Sequence, residues 1–160
     1  MATKNISPHE YHYGESFHKK KIYIQTLSIL LGCFMIIIGL AGILNPGFAG
    51  LHLSLMHSLM LCATGVLSIW SGEIKDTHRS YYICMGLGFW FSIHAVAGYI
   101  VGSPGIPTVG YDSPDSMLIK IAPGFLELGR VDHILHSLLA IFFFSGAYSW
   151  AKAHEQHGVK

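Results

Sequence analysis

Three long stretches of the chain contain no Asp, Glu, Lys or Arg. The charged residues that bound them are Lys21 and Glu73, Arg79 and Asp112, and Asp132 and Lys152. A helix needs about 20 apolar residues to cross the roughly 30 Å hydrocarbon core of a bilayer. The first stretch is long enough for two such helices, which an Asn-Pro-Gly turn at residues 45–47 separates, and the other two hold one each.

This pattern predicts an all-α integral membrane protein, a four-helix bundle. The runs are too long and too uniformly apolar for the alternating strands of a membrane barrel. We expect the helices at about residues 22–44, 51–70, 81–101 and 131–150, with an outer loop at 102–130. The transmembrane domain is then 22–150, between a His- and Lys-containing tail at 1–21 and a second tail at 151–160.

The basic residues predict the orientation of the chain in the membrane. All of them except Lys120 and Arg130 fall in the two tails or in the short connection at 71–80. Because cytoplasmic segments are richer in Lys and Arg, both termini are predicted to be cytoplasmic. The expected location is a bacterial inner membrane, or an intracytoplasmic or thylakoid-type membrane. Only 12% of residues are charged and the net charge is +1, so nucleic-acid binding is disfavoured.

Two segments of the sequence resemble two later ones. Residues 31–44 (LGCFMIIIGLAGIL) align with 87–100 (LGFWFSIHAVAGYI), and 56–60 (MHSLM) align with 135–139 (LHSLL). The chain is therefore predicted to be two tandem transmembrane hairpins. An even-helix repeat keeps its orientation, so a pseudo-two-fold axis along the membrane normal relates the hairpins.

Five of the 11 histidines lie in or beside the predicted spans. With a rise of 1.5 Å per residue, His57, His94 and His136 each lie about 8–10 Å inside the outer end of their helix. Asp132 precedes His136 by four residues and shares its helix face, so we expect the carboxylate to orient that ring. His52 and His133 are predicted to lie at the boundary, where water satisfies them.

The histidines are compatible with four interpretations. They can simply hydrogen-bond the helices together. They can ligate a haem iron or the magnesium of a chlorophyll-type pigment, and His57 and His136 would be the axial ligands of a haem-b electron carrier. They can hold one zinc or copper ion through His57, His94 and His136. The last interpretation is a proton relay.

The outer loop at 102–130 is longer than the other connections and contains short apolar runs with isolated charges. Such a segment is typical of an interfacial helix, and equally of a docking surface for a partner protein. It follows the third span directly, so it is also placed to act as a lid over the histidines.

Two motifs resemble a bacterial family of four-helix membrane proteins of unknown function. They are GLHLSLMHSLMLCATGVLSIWSG at 50–72 and VDHILH at 131–136. The family pattern has a histidine in the second helix and Asp-x-x-x-His at the start of the fourth, which correspond here to His57, Asp132 and His136. The resemblance covers about residues 22–150 and implies the fold and these polar positions, but no activity. The outer loop and the His-rich tails depart from it.

The sequence contains no nucleophile–base arrangement, phosphate loop, paired carboxylates or line of ionisable residues across the membrane. We therefore predict no enzymatic activity. The predicted function is that of an auxiliary or assembly subunit of a larger membrane complex. It would contact other subunits through the outer loop and its aromatic helix faces, and a haem or chlorophyll-type cofactor through His57, His94 or His136.

Overall fold

The computed structural model describes residues 8–110 and 113–156, with side chains for 23–110 and 113–155. Four α-helices and three short strands make up the fold. The helices are α1 (Pro8–Leu44), α2 (Leu55–Glu73), α3 (Thr77–Val101) and α4 (Arg130–Gln156), and the strands are β1 (Ser103–Gly105), β2 (Asp115–Ala122) and β3 (Leu126–Leu128). Each helix contains a segment long and apolar enough to cross a membrane, as in a multi-pass membrane protein.

Helices α1 and α2 begin at residues other than those predicted, and the residues at each start explain why. Helix α1 already begins at Pro8, so it extends through most of the segment predicted as a tail at 1–21. Proline suits a first helical position, because its fixed φ is helical and it lacks only an amide that would be unpaired there. The side chains of residues 1–22, which include the tail's Lys and His residues, lie outside the described part. Helix α2 begins at Leu55 rather than 51, because the Ser54 hydroxyl accepts the amide of His57 as an N-cap.

The helices pack most extensively in the pairs α1–α2 and α3–α4, while α2 and α3 touch each other much less. Glycines permit the close approaches. A Cβ on Gly32 would collide with the backbone of Gly65, and a Cβ on Gly98 would collide with the ring of His133. Small residues at helix contacts are the usual means of close packing in lipid. The α2–α3 side has no comparable close approach among the described glycines and is open.

The burial of α1 and α3 follows one pattern. Every position in residues 23–44 except Ile38 has the same degree of burial as the position 56 residues later. Ser28 and its equivalent Cys84 lie against each other, with Oγ and Sγ 3.2 Å apart. In the second helix of each pair, His57 and its equivalent His136 are also neighbours, with ring centroids 5.6 Å apart. Equivalent residues therefore meet at two levels along the bundle.

The outer loop forms a small antiparallel sheet in the order β1-β2-β3, so the expectation of an interfacial helix is wrong. A turn at Gly124, with φ of +72°, reverses the chain between β2 and β3. The buried Glu127 carboxylate ties the sheet to the preceding loop by accepting the amides of Thr108 (2.7 Å) and Gly124 (2.9 Å). We call the end of the bundle under these strands the sheet end, and the opposite end, where α2 connects to α3, the open end.

Candidate histidine site beneath the sheet

One small cavity at the sheet end brings together His57, His94 and His136. The ring centroid of His136 lies 5.6 Å from that of His57 and 5.6 Å from that of His94. The other lining residues are apolar or weakly polar: Met60, Leu61, Thr64, Trp90, Phe91, Leu126 and Leu128. The space that the centre of a water molecule can occupy in this cavity is about 20 Å³, which is enough for one water or one ion.

Backbone carbonyls fix how two of the rings present their nitrogens. His57 Nδ1 donates to the carbonyl of His52 at 3.0 Å, and His94 Nδ1 donates to that of Trp90 at 2.8 Å. A carbonyl only accepts, so in the neutral ring Nδ1 carries the proton and Nε2 keeps a free lone pair. This is how the rings of metal-bound histidines are held.

Two ring nitrogens in this cluster have no hydrogen-bond partner among the described residues. They are His57 Nε2 and His136 Nδ1, and both residues are only 3% exposed. Buried polar atoms are nearly always paired, because an unpaired one costs roughly 1–3 kcal/mol. A ligand that binds both nitrogens would therefore recover the free energy that is lost by burying them without partners.

Asp132 is fully buried at the start of α4, and the histidine ring nearest its carboxylate is that of His57 rather than that of His136. Its carboxylate accepts the amides of His52 (3.1 Å) and Gly129 (2.7 Å), and its Oδ1 lies 3.8 Å from His57 Nδ1. The prediction that it orients His136 is wrong. Residues four apart share a helix face, but the unpaired amides at the helix N-terminus attract the carboxylate more strongly.

His52 and His133 are buried too, at 2% and 0% exposure, so the expectation that water satisfies them is wrong. His52 Nε2 lies 3.2 Å from Asp115 Oδ2, and His133 Nε2 donates to the carbonyl of Met117 at 2.8 Å. The reason is the sheet. Strand β2 lies against the ends of α3 and α4 and supplies these partners in place of solvent.

A second, polar pocket opens at the surface of the sheet end beside Asp115 and His52. It has a volume of about 380 Å³, and Arg130 also lines it. Burial favours the neutral form of Asp115, but hydrogen bonds from the amides of Met117 and Arg130, with help from His52, outweigh it. The pKa of Asp115 is therefore lower than usual, and its carboxylate is ionised at neutral pH.

An apolar cleft lies between α2 and α3, along the side of the bundle and next to the histidine cavity. Its volume is about 320 Å³, and its lining residues are Thr64, Leu67, Ile83, Gly86, Leu87 and Trp90. Thr64 and Trp90 line the histidine cavity as well, so the two spaces adjoin. A Cβ at Gly86 would meet nothing within 4 Å, which shows how open the cleft is.

The structure argues against two of the predicted arrangements, a three-imidazole metal site and a haem held between His57 and His136. Within the described residues, no three His, Cys, Asp or Glu side chains are arranged to hold a metal ion, so His57, His94 and His136 do not form a ready three-imidazole site. A haem ring does not fit between His57 and His136 either, because the space there is water-sized. Sequence reasoning missed Met60, which follows His57 by three residues and therefore shares its helix face.

No family model, curated protein or solved structure matches this chain. The family resemblance based on His57, Asp132 and His136 stays a prediction. The functional argument therefore depends on the site itself: a water-sized cavity that three histidines and apolar residues line, an adjoining apolar cleft and a sheet at the same end.

Proposed function

We propose that the chain is an auxiliary subunit of a larger membrane complex and docks through the α2–α3 face. The observation that carries this proposal is the cleft, because helices that pack closely elsewhere in the bundle leave this side open. A contiguous apolar groove next to buried polar groups is the usual form of a binding site for a lipid-soluble ligand or a partner helix. Both termini are then cytoplasmic and the sheet end faces outward.

A flat cofactor of the haem or chlorophyll class fits the cleft better than it fits between the rings. Gly86 and Trp90 lie one turn apart on the α3 wall of the cleft, and Thr64 and Leu67 of α2 form the opposite wall. Of the three cavity histidines, only His94 is partly exposed, and its Nε2 lone pair is available. His94 lines the adjoining histidine cavity rather than the cleft itself, and it is the ligand we assign to the metal of a tetrapyrrole bound by this chain in the cleft. Such a group would supply electron transfer or light absorption when bound.

The sheet end offers a second contact surface for the same complex. Ile106, Ile121 and Phe125 are 63%, 58% and 55% exposed there, outside the segments that can span a membrane. Exposed apolar clusters outside the bilayer core mark contacts with protein or with the membrane interface. This supports the proposal that the segment at 102–130 docks against another subunit.

We also propose that the chain arose by duplication of a helical hairpin, with a pseudo-two-fold axis along the membrane normal. The shared burial pattern of α1 and α3 supports this, as do the contacts of Ser28 with Cys84 and of His57 with His136. Residues related by a two-fold axis meet each other only where they lie close to that axis. Two such meetings at different depths define a line along the bundle.

The docking proposal is tested by filling the cleft. Gly86→Phe places a ring in it, whereas Val96→Phe adds the same ring at an exposed position of α3 that does not line the cleft. Membranes containing the chain at its natural level are solubilised in mild detergent and run on a native gel. We expect a high-mass band for the wild type and Val96→Phe, and a shift to free chain for Gly86→Phe. Migration of the wild type as free chain would refute the proposal.

A further inference from the structure

We propose that the histidine cavity binds one copper(I) ion, with His57 Nε2, His136 Nδ1 and the Met60 thioether as ligands. This goes beyond the docking proposal and does not depend on it, since all three ligands come from this chain. It differs from the predicted three-imidazole site in replacing His94 by a sulfur ligand.

The two unpartnered nitrogens carry the argument. Both lie on rings that line the same water-sized cavity, and both side chains are buried. With metal–nitrogen distances of about 2.0–2.1 Å, two imidazoles on one ion have ring centroids roughly 5–6.5 Å apart. The observed separation of 5.6 Å lies in that range. One ion would satisfy both nitrogens at once.

Met60 makes the set selective for a soft ion. It lies one helical turn after His57 and lines the same cavity. Thioether sulfur favours copper(I), while imidazole accepts copper in general, so two nitrogens and one sulfur suit copper(I) better than zinc. The absence of a three-member His, Cys, Asp or Glu group among the described residues agrees with this, because no harder ligand completes the set.

Charge also favours a monovalent ion. Among the described residues, the carboxylate found beside these ligands is that of Asp132, whose Oδ1 lies 3.8 Å from His57 Nδ1. One carboxylate balances one positive charge, whereas a divalent ion would leave an uncompensated charge in a buried apolar site, which is costly. Leu126 and Leu128 of β3 add apolar lining to the cavity.

The test is a copper(I) titration of the full chain in detergent, without oxygen and against a coloured copper(I) chelator. We expect one copper per chain in the wild type, and affinity at least about tenfold weaker in Met60→Leu and in His136→Leu. Met60→Leu conserves volume, so its fold is retained. Met85→Leu and His78→Ala are the matched controls, because neither residue lines the cavity.

X-ray absorption of the copper-loaded protein provides the second readout. A sulfur neighbour together with nitrogen neighbours is expected in the wild type, and loss of the sulfur in Met60→Leu. Equal copper affinity in the wild type and Met60→Leu, or a copper environment without sulfur, would overturn the proposal. Because the isolated chain is used, failure here leaves the docking proposal standing, and a failed docking test leaves this one standing.

Discussion

At both the open end and the sheet end of the bundle, polar residues from different helices lie together. The two ends differ in whether the polar atoms of these residues are hydrogen-bonded. At each end two residues that the proposed repeat would pair lie together, Ser28 with Cys84 and His57 with His136. At the open end the Ser28 hydroxyl also donates to the carbonyl of Ile24 at 2.8 Å, so its hydrogen-bonding capacity is used. At the sheet end, nitrogens of both rings have no partner among the described residues.

The other polar groups extend this contrast. Towards the open end, Ser68 donates to the carbonyl of Ser28 at 2.7 Å, and Ser80 to that of Ser71 at 2.6 Å. These bonds join helices and leave nothing for a ligand to do. The comparison teaches that burial of polar residues alone does not identify a site. Several unpaired atoms that converge on one cavity are the stronger sign, as His57 Nε2 and His136 Nδ1 do at the sheet end.

The largest expected effect is the removal of the buried carboxylate at the sheet end. Asp132→Ala leaves the amides of His52 and Gly129 buried without acceptors, so we expect a loss of about 3–5 kcal/mol in the free energy of unfolding. The matched control is Asp76→Ala, since Asp76 caps α3 at the exposed open end and its loss should cost about 1 kcal/mol. Equal losses in the free energy of unfolding, measured in detergent, would contradict this prediction. They would mean that the buried carboxylate at the sheet end contributes no more to stability than the exposed helix cap at the open end.

The next effect compares a closed helix contact with the open one. Gly32→Ala forces a methyl group against the backbone of Gly65, and overpacking of this kind costs about 1–3 kcal/mol. Gly86→Ala meets nothing within 4 Å and should be neutral, or stabilising by up to about 1 kcal/mol, because alanine favours helix. Thermal melting of both variants checks this. A destabilised Gly86→Ala would mean that the α2–α3 cleft is closed.

A smaller effect distinguishes the satisfied polar groups from the unsatisfied ones. Ser68→Ala removes a buried hydrogen bond and should cost about 1 kcal/mol. His136→Leu removes a ring nitrogen that has no partner, so in metal-free protein the free energy of unfolding should be unchanged or slightly higher. A loss in His136→Leu larger than that in Ser68→Ala would contradict the contrast between the two ends.

The smallest effect is a pH dependence confined to the sheet. Burial favours the neutral form of Glu127, but bonds from Thr108 and Gly124, together with the charge of Lys120, outweigh it and lower its pKa. A carboxyl group whose folded pKa is lowered stabilises the fold above its unfolded pKa, about 4.3, and this is lost as the pH falls further. The protection of amides in β2 and β3 against exchange, relative to the intrinsic rate at each pH, should fall below about pH 4. Glu127→Gln should remove this dependence, and Glu73→Gln, at an exposed position, should retain it.

The helices and the level of the histidines could be predicted from sequence because both follow from regular periodicity. Charge-free runs define apolar helices, and a fixed rise per residue places His57, His94 and His136 at one depth. The sheet could not be found this way. Its strands are short and irregular, and tertiary bonds such as that of Glu127 to Thr108 hold them in place. For the same reason the partners of Asp132, His52 and His133 do not follow from periodicity, since strand β2 or backbone amides just outside the helices supply them.

The most direct test of the central claim, that the sheet end is the functional end, is a visible absorption spectrum. The full chain is purified from its own membranes in mild detergent and measured before and after reduction with dithionite. We predict an absorption band from a haem or chlorophyll-type group in the wild type and in His78→Ala, and its loss in His94→Ala. A wild-type spectrum without any band, or a band that His94→Ala retains in full, would contradict the assignment of His94 to a cofactor.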